Sequence, residues 1–277
     1  MTPSSQADSL THSRDSISET LVALSSIAAG EVLPYFRKPL TVENKLEDSA
    51  AYDPVTAADR AAEQAIRAEI ENRYPNDSIF GEELADKTGD SEYSWVIDPI
   101  DGTRAFVCGL PTWATLIGVC KAGQPLLGLM SQPVVGEYFI GGLAKSELYR
   151  DGQSVTLKTR TGKDLANCNL FATAPDMFNH QELNAFEALS SQVQMTRFGV
   201  DSYAYCALAA GHIDLVVESG LGFYDIAALI PIIESAGGIV TDWNGQAVRG
   251  GGRVIAAAND QIHRQALQTL QANIDNS

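Results

Sequence analysis

Trp95-Val96-Ile97-Asp98-Pro99-Ile100-Asp101-Gly102-Thr103-Arg104 is the stretch on which the reading of this chain turns. An apolar run delivers two aspartates, three residues apart, to a turn containing Pro99 and Gly102. Buried strands do not ordinarily end this way, because two carboxylates about 4 Å apart repel by about 4 kcal/mol at an effective dielectric of about 20. A hard divalent cation between them removes the repulsion. The Gly102-Thr103 step adds backbone N–H groups suited to a phosphate. One decapeptide therefore predicts a metal and a phosphate at the same turn.

Upstream, Glu82-Glu83 follow Ile79-Phe80-Gly81, again an apolar run meeting glycine and then paired acids. Alone, this would be a solvated loop; its nearness to Asp98 and Asp101 favours a metal role. Asp59, taken singly, is a solvent-facing residue in the first turn of a helix, where the dipole favours it. Asp225, taken singly, is a helix N-cap. Other chemistries have less support. His12, His180, His212 and His263 show no H-E-x-x-H spacing, and neither G-x-S-x-G nor G-x-x-x-x-G-K-[ST] occurs. Gly250-Gly251-Gly252 precedes a strand rather than a helix and reads as a turn.

At 277 residues and 45% hydrophobic composition, the chain can form one large domain or two lobes. A net charge of −16 argues against nucleic-acid or anionic-membrane binding, both of which need clustered Lys and Arg. Cys108, Cys120, Cys168 and Cys206 form no C-x-x-C pair, so buried free thiols in a reducing compartment are expected, and with them a cytoplasmic location. Met1 to Arg14 is polar and Ser/Thr-rich, reads as a disordered tail, and lacks the apolar run of a signal peptide. No later run is long enough to span a membrane.

Helical periodicity runs from about Ser16 to Phe36, with Leu21, Leu24, Ala28 and Val32 on one face. A loop containing Lys45 and Asp53 leads to a second helix near Thr56, striped by Ala58, Ala62, Ala65, Ile66 and Ile70. Trp113 to Cys120, Pro125 to Met130 and Glu137 to Gly142 predict an antiparallel meander. The second half alternates. Strands are predicted at Cys168 to Ala172, Met195 to Phe198, Ile213 to Val217, Ile239 to Thr241 and Val254 to Ala257. Helices are predicted at Gln181 to Leu189, Ser202 to Ala210, Asp225 to Ala236 and from Asp260. The polar stretch between Arg150 and Ala166 divides an N-terminal lobe, 15–155, from a C-terminal lobe, 156–277.

Gly81-Glu82-Glu83, then D-P-I-D-G-T at Asp98 to Thr103, Y-D-I-A-A at Tyr224 to Ala228 and E-S-A-G-G at Glu234 to Gly238, resemble the inositol monophosphatase family in content and order. These are Mg²⁺-dependent, lithium-sensitive phosphomonoesterases of the sugar-phosphatase superfamily. Asp98 to Trp113 and Phe198 to Glu218 resemble the histidinol-phosphate phosphatase branch in particular. Arg104 stands where inositol phosphatases more usually have Thr or Asn, and Tyr224 where Trp is common. Gly222-Phe223 departs from the Lys-Pro frequent in the branch.

The resemblance implies a layered αβαβα sandwich, with an antiparallel sheet in the N-terminal lobe and an α/β C-terminal lobe. It implies two or three Mg²⁺ ions held by Glu82, Asp98, the Ile100 carbonyl, Asp101 and Asp225, with Mn²⁺ as a substitute and Li⁺ as an inhibitor. Oxygen-only ligands agree with Mg²⁺. Glu82 would assist activation of a water that Thr103, paired with Asp59, orients. Gly102 and Thr103 would cradle the phosphate. Arg104 would contact the phosphate or a partner subunit, and Asp201 and Glu218 would bind the amine and imidazole of L-histidinol phosphate. A homodimer acting on a small phosphomonoester is implied. Inositol 1-phosphate and a nucleoside 3′-phosphate are the alternative substrates, and a non-catalytic regulatory binding protein is the alternative of another class.

Overall fold

Ser13 starts the first helix among the described residues: its Oγ accepts from the Ser16 N–H, and helix α1 (Arg14–Val32) follows. The computed structural model describes residues 12–39, 41–44, 54–143 and 145–274. Lys45 and Asp53, singled out in the sequence, lie outside the described residues. A short antiparallel pair, β1 (Val42–Asn44) and β2 (Pro54–Thr56), precedes helix α2 (Ala57–Arg73), which opens on a capping box between Thr56 and Asp59. Strands β3 (Ser78–Gly81) and β4 (Tyr93–Asp101), the one-turn helix α3 (Thr103–Val107), and strands β5 (Ala114–Lys121), β6 (Gln124–Gln132), β7 (Glu137–Gly142), β8 (Lys145–Arg150) and β9 (Gln153–Thr156) come next. Strands β3 to β9 form one seven-stranded sheet in sequence order.

The second half contributes β10 (Asn169–Ala172), α4 (His180–Ser190), β11 (Met195–Phe198), α5 (Tyr203–Ala209), β12 (Leu215–Leu221), α6 (Phe223–Ile226), α7 (Leu229–Ser235), β13 (Ile239–Thr241), β14 (Gly252–Ala257) and α8 (Asp260–Ile274). Its five strands are ordered β11-β10-β12-β14-β13. Helices α1 and α2 cover one face of the large sheet with Leu21, Leu24, Ile66 and Ile70 over Trp95, Ile97 and Leu129. Helices α5 and α7 fill the space between the sheets, where Leu116 and Met130 meet Val216 and Val254. Helices α4 and α8 cover the outer face of the small sheet through Phe186, Ala266 and Leu270. The layering is α-β-α-β-α.

The middle layer is seated on the large sheet by three glycines. Gly118, Gly128 and Gly141 are direct cross-strand partners on β5, β6 and β7. A Cβ on Gly128 would stand 1.9 Å from the Ala228 carbonyl oxygen, and one on Gly141 would stand 2.5 Å from Ile232 Cα. The backbone of 227–232 lies in the furrow these residues leave. Ser146 Oγ donates to the Ile232 carbonyl at 2.6 Å, fixing the far end.

Several expectations are corrected. The segment from Asp225 to Ala236 is two helices, α6 and α7, parted at Ala227-Ala228 where the chain enters the furrow. The large sheet is not wholly antiparallel, since β3 runs parallel to β4; the small sheet is mixed, with β14 antiparallel to both neighbours. The polar stretch after Arg150 still carries strand β9, whose residues are all exposed and so show no alternation. Cys108 is exposed, unlike the other three free thiols.

The end of the supposed tail is built in. His12 Nε2 lies 2.9 Å from Asp77 Oδ2, and its ring stacks on Tyr93 at 4.0 Å between centroids. Among the described residues, no helix is long and apolar enough to cross a membrane.

Candidate metal centre and substrate cleft

Strand β4 loses register with β5 between Asp98 and Asp101. That irregularity at Pro99-Ile100 turns both aspartates into one cleft. Asp225, on α6, is delivered to them by the glycine furrow. One carboxylate oxygen from each of Asp98, Asp101 and Asp225 lies within 4.8 Å of the others. Each is anchored by a backbone N–H: Ile100 donates to Asp98 Oδ1 at 3.1 Å, Ser202 to Asp101 Oδ2 at 2.9 Å, and Gly222 to Asp225 Oδ2 at 2.6 Å. The last bond makes Asp225 the third residue of its helix rather than the N-cap, which is Gly222. Glu82, from the loop after β3, lines the same cleft, whose volume is about 330 Å³.

This arrangement is electrostatically unfavourable on its own. Burial, then the charges of Glu82, Asp101 and Asp225, push the Asp98 carboxyl well above the ordinary aspartate range. Burial raises Asp101 to about 6 despite its bonds to Ser202. Asp225 is raised well above its usual value by burial and by Asp101 and Glu82. An oxygen-only, mutually repelling, buried set fits a hard divalent cation, which would offset both burial and repulsion.

The Thr103–Asp59 pair expected from the resemblance is not formed. Thr103 Oγ1 donates to the Ile100 carbonyl at 3.0 Å. Asp59 is fully buried rather than solvent-facing, and its Oδ2 accepts from the Thr56 N–H at 2.9 Å and from Thr56 Oγ1 at 2.6 Å. The capping box has claimed one oxygen, and Asp59 Oδ1 is buried with no hydrogen-bond partner.

The outer cleft also differs from expectation. Glu218 is buried and bonded on both oxygens within the protein: Oε1 accepts from the Thr173 N–H at 2.7 Å and Thr173 Oγ1 at 2.6 Å, and Oε2 from the Tyr205 hydroxyl at 2.9 Å. It holds the end of β10 instead of presenting a bare carboxylate. Asp201 directly precedes Ser202, the N-cap of α5, and has a left-handed backbone at φ 43°. Its carboxyl is raised to about 8 by burial and then by Asp101 and Glu218. Arg104 Nη1 donates to Asp176 Oδ2 at 3.2 Å across the exposed mouth. Asp176, Thr173 and Tyr205 were not found in the sequence, since each acts through contacts that no local spacing reports. The Tyr224 ring lies over the α-carbon of Gly222, where a Cβ would stand 2.4 Å from Cζ. The two departures at 222 and 224 are thus sterically linked.

Comparison with known proteins bears on this geometry. The sequence profile of the inositol monophosphatase family matches residues 13–275. The bifunctional phosphatase IMPL2 of Arabidopsis thaliana chloroplasts is 39% identical over 256 residues, covering 88% of this chain and 72% of that protein. A histidinol-phosphatase of Chlorobaculum parvum is 30% identical over 239 residues, covering 86% of this chain and 90% of that one. Among solved structures, an inositol monophosphatase from Zymomonas mobilis superposes with a TM-score of 0.80 at 39% identity, over 91% of this chain and 96% of that one.

Proposed function

The chain belongs to the inositol monophosphatase family and is a phosphatase, and on that premise we propose that it hydrolyses L-histidinol phosphate to L-histidinol and phosphate with Mg²⁺. The observation that carries the substrate is Asp201. Its carboxyl sits in the cleft beside the Gly102 turn, outside the metal cluster, where it can meet the cationic end of a small phosphomonoester. Asp176 adds a second acid at the mouth. Similarity to a histidinol-phosphatase supports the same reading.

In this proposal Glu82, Asp98, the Ile100 carbonyl, Asp101 and Asp225 would hold the ions. Mg²⁺ bound there would supply the positive charge that acidifies a water and neutralises the leaving alkoxide. Glu82 would accept the proton of the attacking water; Asp59 lies close enough for the charge of Glu82 to add to the burial that raises its carboxyl. Thr103 keeps the Ile100 carbonyl oriented through its hydroxyl. The backbone N–H groups of Gly102 and Thr103 cradle the phosphate, and Arg104 exchanges Asp176 for a phosphate oxygen. Asp201 binds the substrate amine. Glu218 keeps Thr173 and Tyr205 in place at the cleft wall.

Phosphate release from L-histidinol phosphate and from myo-inositol 1-phosphate, side by side with and without Mg²⁺, tests the reading. Preference for the first, abolished by chelator, supports it. Preference for inositol phosphate keeps the metal chemistry and removes the substrate assignment. No Mg²⁺-dependent release from either removes both.

A further inference from the structure

We propose that Glu63 and Arg67, one turn apart on α2, form a clamp that fixes Glu82 for metal binding. The proposal rests on the reading of Glu82 as a ligand. Glu63 is fully buried, 0% exposed, and Arg67 Nε donates to its Oε1 at 2.7 Å. The pair grips the loop after β3 from both sides of its polar backbone. The Glu83 N–H donates to Glu63 Oε2 at 2.8 Å and the Leu84 N–H to Glu63 Oε1 at 3.3 Å. Arg67 returns the pattern by donating to the Leu84 carbonyl at 3.1 Å and to the Ala85 carbonyl at 3.0 Å.

Gly81 completes the grip. A Cβ there would stand 2.0 Å from Glu63 Oε1, so the chain passes directly over the carboxylate. The feet of the loop are closed by reciprocal bonds between Ile79 and Lys87 at 2.8 and 2.9 Å. The Glu82 N–H donates to the Ile97 carbonyl, the residue before Asp98. Every backbone neighbour of Glu82 is therefore tied to α2 or β4, and its carboxylate enters the cleft from a fixed base. An acidic ligand on an untied loop would lose conformational freedom on binding an ion, and outer partners that hold ligands typically carry 10- to 100-fold in metal affinity. Glu63 and Arg67 are positioning residues: they act through Glu82 and touch no reacting atom.

Calorimetric titration of Mn²⁺ into the metal-free full chain tests this, with Glu82→Gln, Glu63→Gln, Arg67→Lys and the double variant Glu63→Gln/Glu82→Gln beside the wild type. Glu63→Gln is expected to weaken the Glu82-dependent Mn²⁺ binding about tenfold. The double variant is expected to bind no more weakly than Glu82→Gln alone. The KM for substrate should stay unchanged, and raised metal concentration should restore kcat. A purely structural role would lower the melting temperature and weaken Mn²⁺ equally in both backgrounds, which overturns the clamp. Wild-type Mn²⁺ binding in Glu63→Gln overturns it as well. Wild-type Mn²⁺ binding in Glu82→Gln overturns both the ligand reading and the clamp. Should Glu63→Gln fail to fold, Arg67→Lys decides. It keeps the charge but cannot donate to Glu63, Leu84 and Ala85 together, so unaltered Mn²⁺ binding in that variant overturns the clamp.

Discussion

Asp201 crowds the point at which a side chain on Gly102 would begin: a Cβ built there would stand 3.0 Å from Asp201 Oδ2. Both residues have left-handed backbone, φ 79° at Gly102 and φ 43° at Asp201. The next residue, Ser202, bonds Asp101. Gly102→Ala is therefore expected to push Asp201 and the turn apart. Backbone strain at the left-handed position should cost about 1–2 kcal/mol of stability, and displacement of the turn about a hundredfold in kcat. Thermal melting and steady-state kinetics check this.

Asp201→Asn keeps the shape and removes the carboxylate that bound metal ions and a substrate amine would keep ionised. If Asp201 meets a substrate amine, kcat/KM for L-histidinol phosphate falls by about thirtyfold, corresponding to about 2 kcal/mol for losing one partner of a desolvated charge pair. Hydrolysis of myo-inositol 1-phosphate, which has no amine, should change by less than about twofold. Parallel loss on both substrates would contradict the assignment.

Asp98→Asn removes one of the mutually repelling carboxylates. The metal-free protein should melt a few degrees higher, since burial and three neighbouring acids oppose ionisation of Asp98. Mg²⁺-dependent turnover should vanish, and Mg²⁺ should stabilise the variant less than the wild type. A melting temperature below that of metal-free wild type would argue against net repulsion in the cluster.

The pH dependence of the metal-free protein follows from the same groups. A carboxyl raised on folding contributes stability that is complete below its unfolded value, 3.8 for aspartate, and is lost as pH rises through the folded value. Those folded values are about 6 for Asp101 and about 8 for Asp201. The contribution of these groups should therefore decline from pH 4 to pH 9 in chelator, and Mg²⁺ should restore more stability at pH 8 than at pH 5. Calorimetry with chelator and with Mg²⁺ at each pH measures both slopes.

The cleft's acids were legible where chemistry is local. Asp98 and Asp101 declare themselves because two carboxylates at the end of an apolar run need a counter-charge, and Gly102 because the turn requires it. The capping box was also written locally, as Thr56 and Asp59 three apart, yet the partner of Thr103 was not, since its hydroxyl turns to the Ile100 carbonyl of its own turn and leaves Asp59 Oδ1 unbonded. Glu218 illustrates the opposite limit. Nothing near it in sequence shows that Thr173, 45 residues earlier, has taken its oxygen. Strands β8 and β9 were missed for a related reason: β9 is an exposed edge and shows no apolar alternation. The furrow glycines were invisible as a set, because Gly118, Gly128 and Gly141 become neighbours only when three strands pair.

That furrow also joins parts of the chain that are made far apart in time. Asp225 meets Asp98 and Asp101 where Ala227 and Ala228 lie against Gly118 and Gly128, a contact spanning about a hundred residues of chain. Loop closure over that distance comes late. A nascent chain that has emerged only as far as β12 lacks the third carboxylate altogether, so the cluster is complete only after most of the chain has been translated. If the cluster holds a divalent ion as proposed, ion binding would report that the two halves of the chain have come together.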